Sequence, residues 1–185
     1  MREYIDSIFE SLDKENYHAA LFIALSIPDI CGKMETPNER NGDRARRWFR
    51  DNLKSKYFPE FCYENLMATN PEMAKQIEPE QLEALKRKPF PVKFDDTAFW
   101  KLRNAFLHEA SDYAGKLKVH ITHSGSHLNM VNGALQLSSL KLCTDIALAA
   151  SVWLDNVKEN PEVWGRITQC AKIKNEIMDG LFVFK

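Results

Sequence analysis

The sequence predicts a mainly α-helical single domain, residues 1–185, with a small β-hairpin inserted in it. Three observations predict this fold class. Apolar residues recur at three- and four-residue steps over most of the chain. Helix-capping residues stand just before several of those runs. The stretch 116–122, in contrast, alternates polar and apolar residues as a strand does. A chain of 185 residues with 44% hydrophobic content is long enough to bury one sizeable core.

Between Tyr4 and Lys33, Ile5, Ile8, Phe9 and Leu12 and then Ala20, Ile23, Ala24 and Ile27 mark one or two helices. Pro28 lacks a backbone donor and is expected to kink or end the helix there. The turn formers Pro37, Asn38, Asn41 and Gly42 close this region, and Asp43 is the candidate N-cap of the next helix. That helix is amphipathic and basic: Ala45, Trp48, Phe49 and Leu53 share one side, with Arg44, Arg46, Arg47 and Arg50 mostly on the other. From Phe58 to Pro91, five prolines restrict the chain to short helical pieces, one of them a two-turn helix over 80–88 docked by Leu82 and Leu85. A central helix begins near Asp95, carries Phe99, Leu102, Phe106 and Ala110 on one stripe, and is expected to fade near Gly115. The alternating stretch then turns through Ser124-Gly125-Ser126 as a hairpin, and Asn132-Gly133 marks a second turn. Ser138 or Ser139 caps an apolar helix over about 140–156, and Asn160-Pro161 opens a last helix that Gly180 can end.

With 25 basic against 26 acidic side chains, the formal net charge is -1, so no global field draws the chain onto nucleic acid or an anionic membrane. Any RNA contact must be local. The N-terminus lacks the pattern of a secretory signal, and the apolar stretches near 19–27 and 146–154 are too short to cross a bilayer. A cytoplasmic protein that does not enter membranes is the expectation. Cys31, Cys62, Cys143 and Cys170 lack the close pairing of a zinc or redox motif and read as reduced thiols. Cys31, Cys143 and Cys170 sit in apolar helical stretches, where cysteine behaves as a small buried hydrophobe.

One motif on the central helix carries chemistry: Arg103-Asn104-Ala105-Phe106-Leu107-His108. Five positions on a helix separate Arg103 and His108 by about 140° and about 7.5 Å along the axis, a gap that the long guanidinium can bridge. Asn104 and His108, four apart, share a face. An imidazole that moves a proton and a guanidinium that stabilises phosphoryl charge are suited to cleaving a phosphodiester, with no metal or other cofactor required. His108 also falls toward the C-terminal half of its helix, where the dipole favours positive charge.

The run Arg103-Asn104-x-x-x-His108 resembles the motif of the HEPN superfamily, the higher eukaryotes and prokaryotes nucleotide-binding proteins. Ile27-Pro28-Asp29-Ile30-Cys31-Gly32 and Arg44-Ala45-Arg46-Arg47-Trp48 look like a group of uncharacterised prokaryotic relatives. The resemblance covers about two thirds of the chain and omits the proline-rich excursion and the hairpin. It implies a HEPN-like helical bundle that often forms a homodimer with facing motifs. In many members it implies a metal-independent endoribonuclease used as a toxin or in phage defence, paired in some settings with an antitoxin protein. Carried over residue by residue, it gives Arg103 and His108 as catalytic and Asn104 as the polar position after the arginine. Asp29 is the counterpart of a supporting polar residue from an earlier helix. Other members are inactive binding or scaffold modules, so function is not fixed by fold.

Competing readings stand beside these. Arg103 can instead pair with an acid such as Asp29 while His108 is a satisfied core histidine. Arg44 and Arg47 can bind an RNA backbone or form a solvated basic face, whereas Trp48 and Phe49 read as core. His120, His123 and His127 fall within eight residues, but their strand and turn placement favours solvated histidines over a zinc site.

Overall fold

The computed structural model describes residues 1–123, 125–171 and 173, together with the backbone of 176–177 and 182–183. Its first half is helical: α1 (Arg2–Asp13), α2 (Tyr17–Glu35), α3 (Asn41–Tyr57), α4 (Cys62–Thr69), α5 (Pro71–Ala74), α6 (Pro79–Arg87) and α7 (Asp96–Glu109). There follow β1 (Tyr113–Ala114), β2 (Leu117–Thr122), β3 (Asn129–Val131) and β4 (Ala134–Ser138), then α8 (Ser139–Asn156), α9 (Pro161–Thr168) and the short pair β5 (Glu176–Ile177) and β6 (Phe182–Val183). The protein is mainly helical with a small four-stranded sheet, and no helix among the described residues is long and apolar enough to cross a membrane.

The core lies where α1, α2, α3, α7 and α8 meet, filled by Ile5, Ile8, Leu25, Ile27, Trp48, Phe49, Leu53, Phe99, Leu102 and Ile146, each almost wholly buried. Phe49 is its aromatic centre, stacked on Phe99 with ring centroids 4.1 Å apart and flanked by Tyr57, Phe58 and Phe94. Between α2 and α3 the backbones come close: a Cβ on Gly32 would lie 2.8 Å from the carbonyl oxygen of Arg44. Only glycine permits this approach.

Several local expectations need correction. Of the two outcomes expected at Pro28, an end to the helix does not occur: α2 runs through it to Glu35. Ile27, Pro28, Cys31 and Gly32 are all buried there, and that packing outweighs one missing backbone hydrogen bond. Asp43 is not the N-cap of α3. Arg40 occupies that position without a side-chain cap, and Asp43 lies in the first turn, paired with Arg46. The central helix fades well before Gly115: α7 ends at Glu109, with Ala110 in the left-handed region at φ 50° and its N–H donating to the Ala105 carbonyl. An alanine in that conformation carries no sequence signal.

The β region also differs from a hairpin through 124–126. The strand β2 pairs in parallel with β4 and antiparallel with β1, and the antiparallel β3–β4 hairpin turns at Asn132-Gly133. These two residues have φ 49° and 76°, as a tight hairpin turn requires. Ser124 lies outside the described residues, as does Gly180, expected to end the last helix; α9 ends earlier, at Thr168. The caps at Asp95, Ser138 and Asn160 are formed as expected, each side chain accepting from a backbone N–H in the first turn of its helix.

Candidate functional site

Three helices supply the motif's surroundings: α2 brings Asp29, α3 brings Arg44, and α7 brings Trp100, Arg103, Asn104 and His108. Asp29 is the shared anchor. Its Oδ1 accepts from Arg44 Nε at 2.7 Å, and its Oδ2 lies 3.8 Å from Arg103 Nη2. These side chains retain only 14–17% exposure, so the charges are largely withdrawn from water and depend on one another.

Arg103 is the hub. Its Nη1 donates to Asn104 Oδ1 at 3.0 Å and lies 3.1 Å from His108 Nε2. A guanidinium has only donors, so in this arrangement Nε2 accepts and the imidazole proton sits on Nδ1. The guanidinium carbon is 5.0 Å from the centre of the Trp100 ring, an additional cation–π support. Arg103 Nε is buried without a partner. His108 itself is exposed in the last turn of α7.

The sequence thus placed Arg103, Asn104, His108 and Asp29 together, and the structure brings all four into one cluster. Asn104 shares a face with His108, and its side-chain contact is with Arg103. The competing reading holds for half the motif, since Arg103 faces Asp29, but His108 is exposed and not a core histidine. Trp100 was missed; its position three residues before Arg103 on a helix was the available signal.

The other arginines of α3 are engaged within the chain. Arg47 bridges Glu35 at 2.7 Å and Glu39 at 3.2 Å, and Arg50 meets Asp96 at 2.5 Å. Arg44 and Arg47 are therefore tied to carboxylates and half-buried. Trp48 and Phe49 are fully buried, as core residues.

The three clustered histidines face different partners. His120 Nδ1 is 3.2 Å from Gln136 Nε2, His123 stacks near Tyr17, and His127 Nδ1 accepts from the Ser138 N–H at 3.1 Å. They do not converge. His127 Nε2 then carries the ring proton and is buried with no partner. Burial pushes the His127 pKa down to about 4; nearby Asp145 works against this, while Lys141 and Lys56 add to it.

Because the folded-state value lies below that of a free imidazole, about 6.5, only the unfolded chain takes up this proton between those two pH values. The stability is complete above pH ~6.5 and is lost as pH falls to ~4, by up to roughly 3 kcal/mol. Thermal unfolding at pH 7 and pH 4 checks this. Wild type should lose more stability across that interval than His127→Gln, and an equal loss in both proteins would exclude the assignment.

No protein-family model, curated protein or solved structure matches the chain.

Proposed function

We propose that the chain is a HEPN-like, metal-independent endoribonuclease of the toxin or phage-defence type, acting in the cytoplasm. One observation carries the reading: Arg103 Nη1 and His108 Nε2 lie 3.1 Å apart at the exposed end of α7, so a single phosphodiester can touch both. When the phosphate draws Arg103 Nη1 onto its own oxygens, the Nε2 lone pair of His108 is released and takes the proton of the ribose 2′-hydroxyl as that oxygen attacks phosphorus. Arg103 holds the charge that develops on the non-bridging oxygens. The P–O5′ bond breaks, leaving a 2′,3′-cyclic phosphate, and the departing O5′ takes a proton from water or from the imidazole of a second copy. Asn104 and Asp29 are positioning residues that act through Arg103. A homodimer with facing motifs supplies that second imidazole, and an antitoxin protein is the partner such an activity calls for.

A non-catalytic RNA- or nucleotide-binding module is the second reading, favoured by the Asp29 contact that partly neutralises Arg103. The two separate on one gel. Purified wild type and His108→Ala are incubated with total RNA in excess chelator. Cleavage by wild type, reduced by about 10²-fold or more in the variant with its unfolding temperature unchanged, is the expected result. Intact RNA in both lanes, with both proteins retaining RNA on a filter, would establish the binding module instead.

A further inference from the structure

A cavity near the α3–α8 contact lies apart from the motif residues, with a volume of about 600 Å³ and walls drawn from α3, α4, the 127–128 segment and the start of α8. Its polar groups fall into two sets. Asp145 is satisfied from within the fold, since Lys56 Nζ pairs with its Oδ1 and the buried Tyr57 hydroxyl donates to its Oδ2 at 3.1 Å. Lys141 also lines the cavity and has no carboxylate partner among the described residues. Two lysines against one aspartate leave one positive charge unmatched, at the first turn of an 18-residue helix whose dipole also favours an anion. Leu128 and Leu140 supply an apolar wall beside it, and Leu140 is 48% exposed.

A concave site with one apolar wall and a few converging polar groups is the general form of a small-ligand pocket. We infer that this cavity binds a small organic anion, its phosphate or carboxylate head on Lys141 and Lys56 with the Thr144 hydroxyl, and its apolar body on Leu128 and Leu140. His127 forms the cavity's inner wall. Its buried, unpartnered Nε2–H gains an acceptor when a small shift of the ring brings it to the head group, relieving an unmet hydrogen bond.

Calorimetric titration of the whole chain with phenyl phosphate, benzoate, inorganic phosphate and benzyl alcohol tests the assignment. One saturable site is expected for phenyl phosphate or benzoate, with inorganic phosphate and benzyl alcohol at least tenfold weaker because each lacks the head or the body. The tighter of the two aromatic anions identifies the head as phosphate or carboxylate. Lys141→Met and Leu140→Glu, both at exposed positions, should each weaken binding at least tenfold while keeping the wild-type unfolding temperature. The His127 ring resonances should move with saturation in wild type. No binding of either aromatic anion, benzyl alcohol binding as tightly as both, or affinity unchanged in Lys141→Met would overturn the proposal.

Discussion

Phe49→Ala should cost about 3–5 kcal/mol of stability, the range for truncating a fully enclosed phenylalanine. Phe49 has no exposure and packs against four aromatic rings: Phe99 on α7, Tyr57 in its own helix, Phe58 just after that helix, and Phe94 before α7. The nearly parallel stack on Phe99, 9° between planes, leaves a flat void that backbone on both sides cannot close. In a domain of this size such a loss lowers the unfolding temperature by on the order of 10 °C. Phe49→Leu keeps most of the volume and should lose less than about 1.5 kcal/mol. Denaturant unfolding of both variants decides the matter. A loss under about 1 kcal/mol for Phe49→Ala would mean that the neighbours collapse into the gap and that the aromatic cluster is not the centre of the core.

Asp29→Ala is the second large effect. Among the described residues it removes the one carboxylate that Arg44 and Arg103 share, and leaves two guanidinium groups of 14% exposure without it. Breaking an enclosed pair from one side costs about 3–5 kcal/mol; with the residual solvent contact here, about 2–4 kcal/mol is expected. Asp29→Asn preserves the acceptor for Arg44 and should fall between wild type and Asp29→Ala. Combining Asp29→Ala with Arg44→Leu should recover part of the loss, because one of the two charges then disappears. A double-variant unfolding series measures that coupling, and strict additivity would show that Asp29 does not bind the two arginines as one unit. Under the endoribonuclease reading, Asp29→Ala also frees Arg103 to leave His108, so cleavage should fall more than RNA retention.

What the sequence made legible, and what it did not, follows from the range of the forces involved. The caps at Asp95, Ser138 and Asn160 depend on neighbours within four residues, and each formed as read. So did the helical spacing that set Arg103 and His108 within reach, and the proximity of Asp29. The end of α7 was not legible, because an alanine takes the left-handed turn at 110 where glycine is the usual sign. The course of α2 through Pro28 was set by burial against other helices, which local propensity does not contain. The charged face of α3 looked solvated by periodicity alone, yet Arg47 and Arg50 find acids on α2 and α7. The grouping of Lys56, Tyr57, His127 and Asp145 joins residues up to 89 positions apart, a distance at which a single sequence offers no pattern.

The ladder between β2 and β4 has a consequence for the order in which the chain assembles. Parallel strands cannot be joined by a tight turn, and here the intervening segment contributes β3 to the far side of β4. The β3–β4 hairpin can close on its own in about 1–10 μs, whereas β2, which pairs locally with β1, must close a longer loop to reach β4. Because β4 leads directly into Ser138, the cap of α8, hairpin closure also sets the starting point of the longest helix after the sheet. A mutation that stiffens the Asn132-Gly133 turn should therefore accelerate folding, while one in β2 should chiefly hasten unfolding.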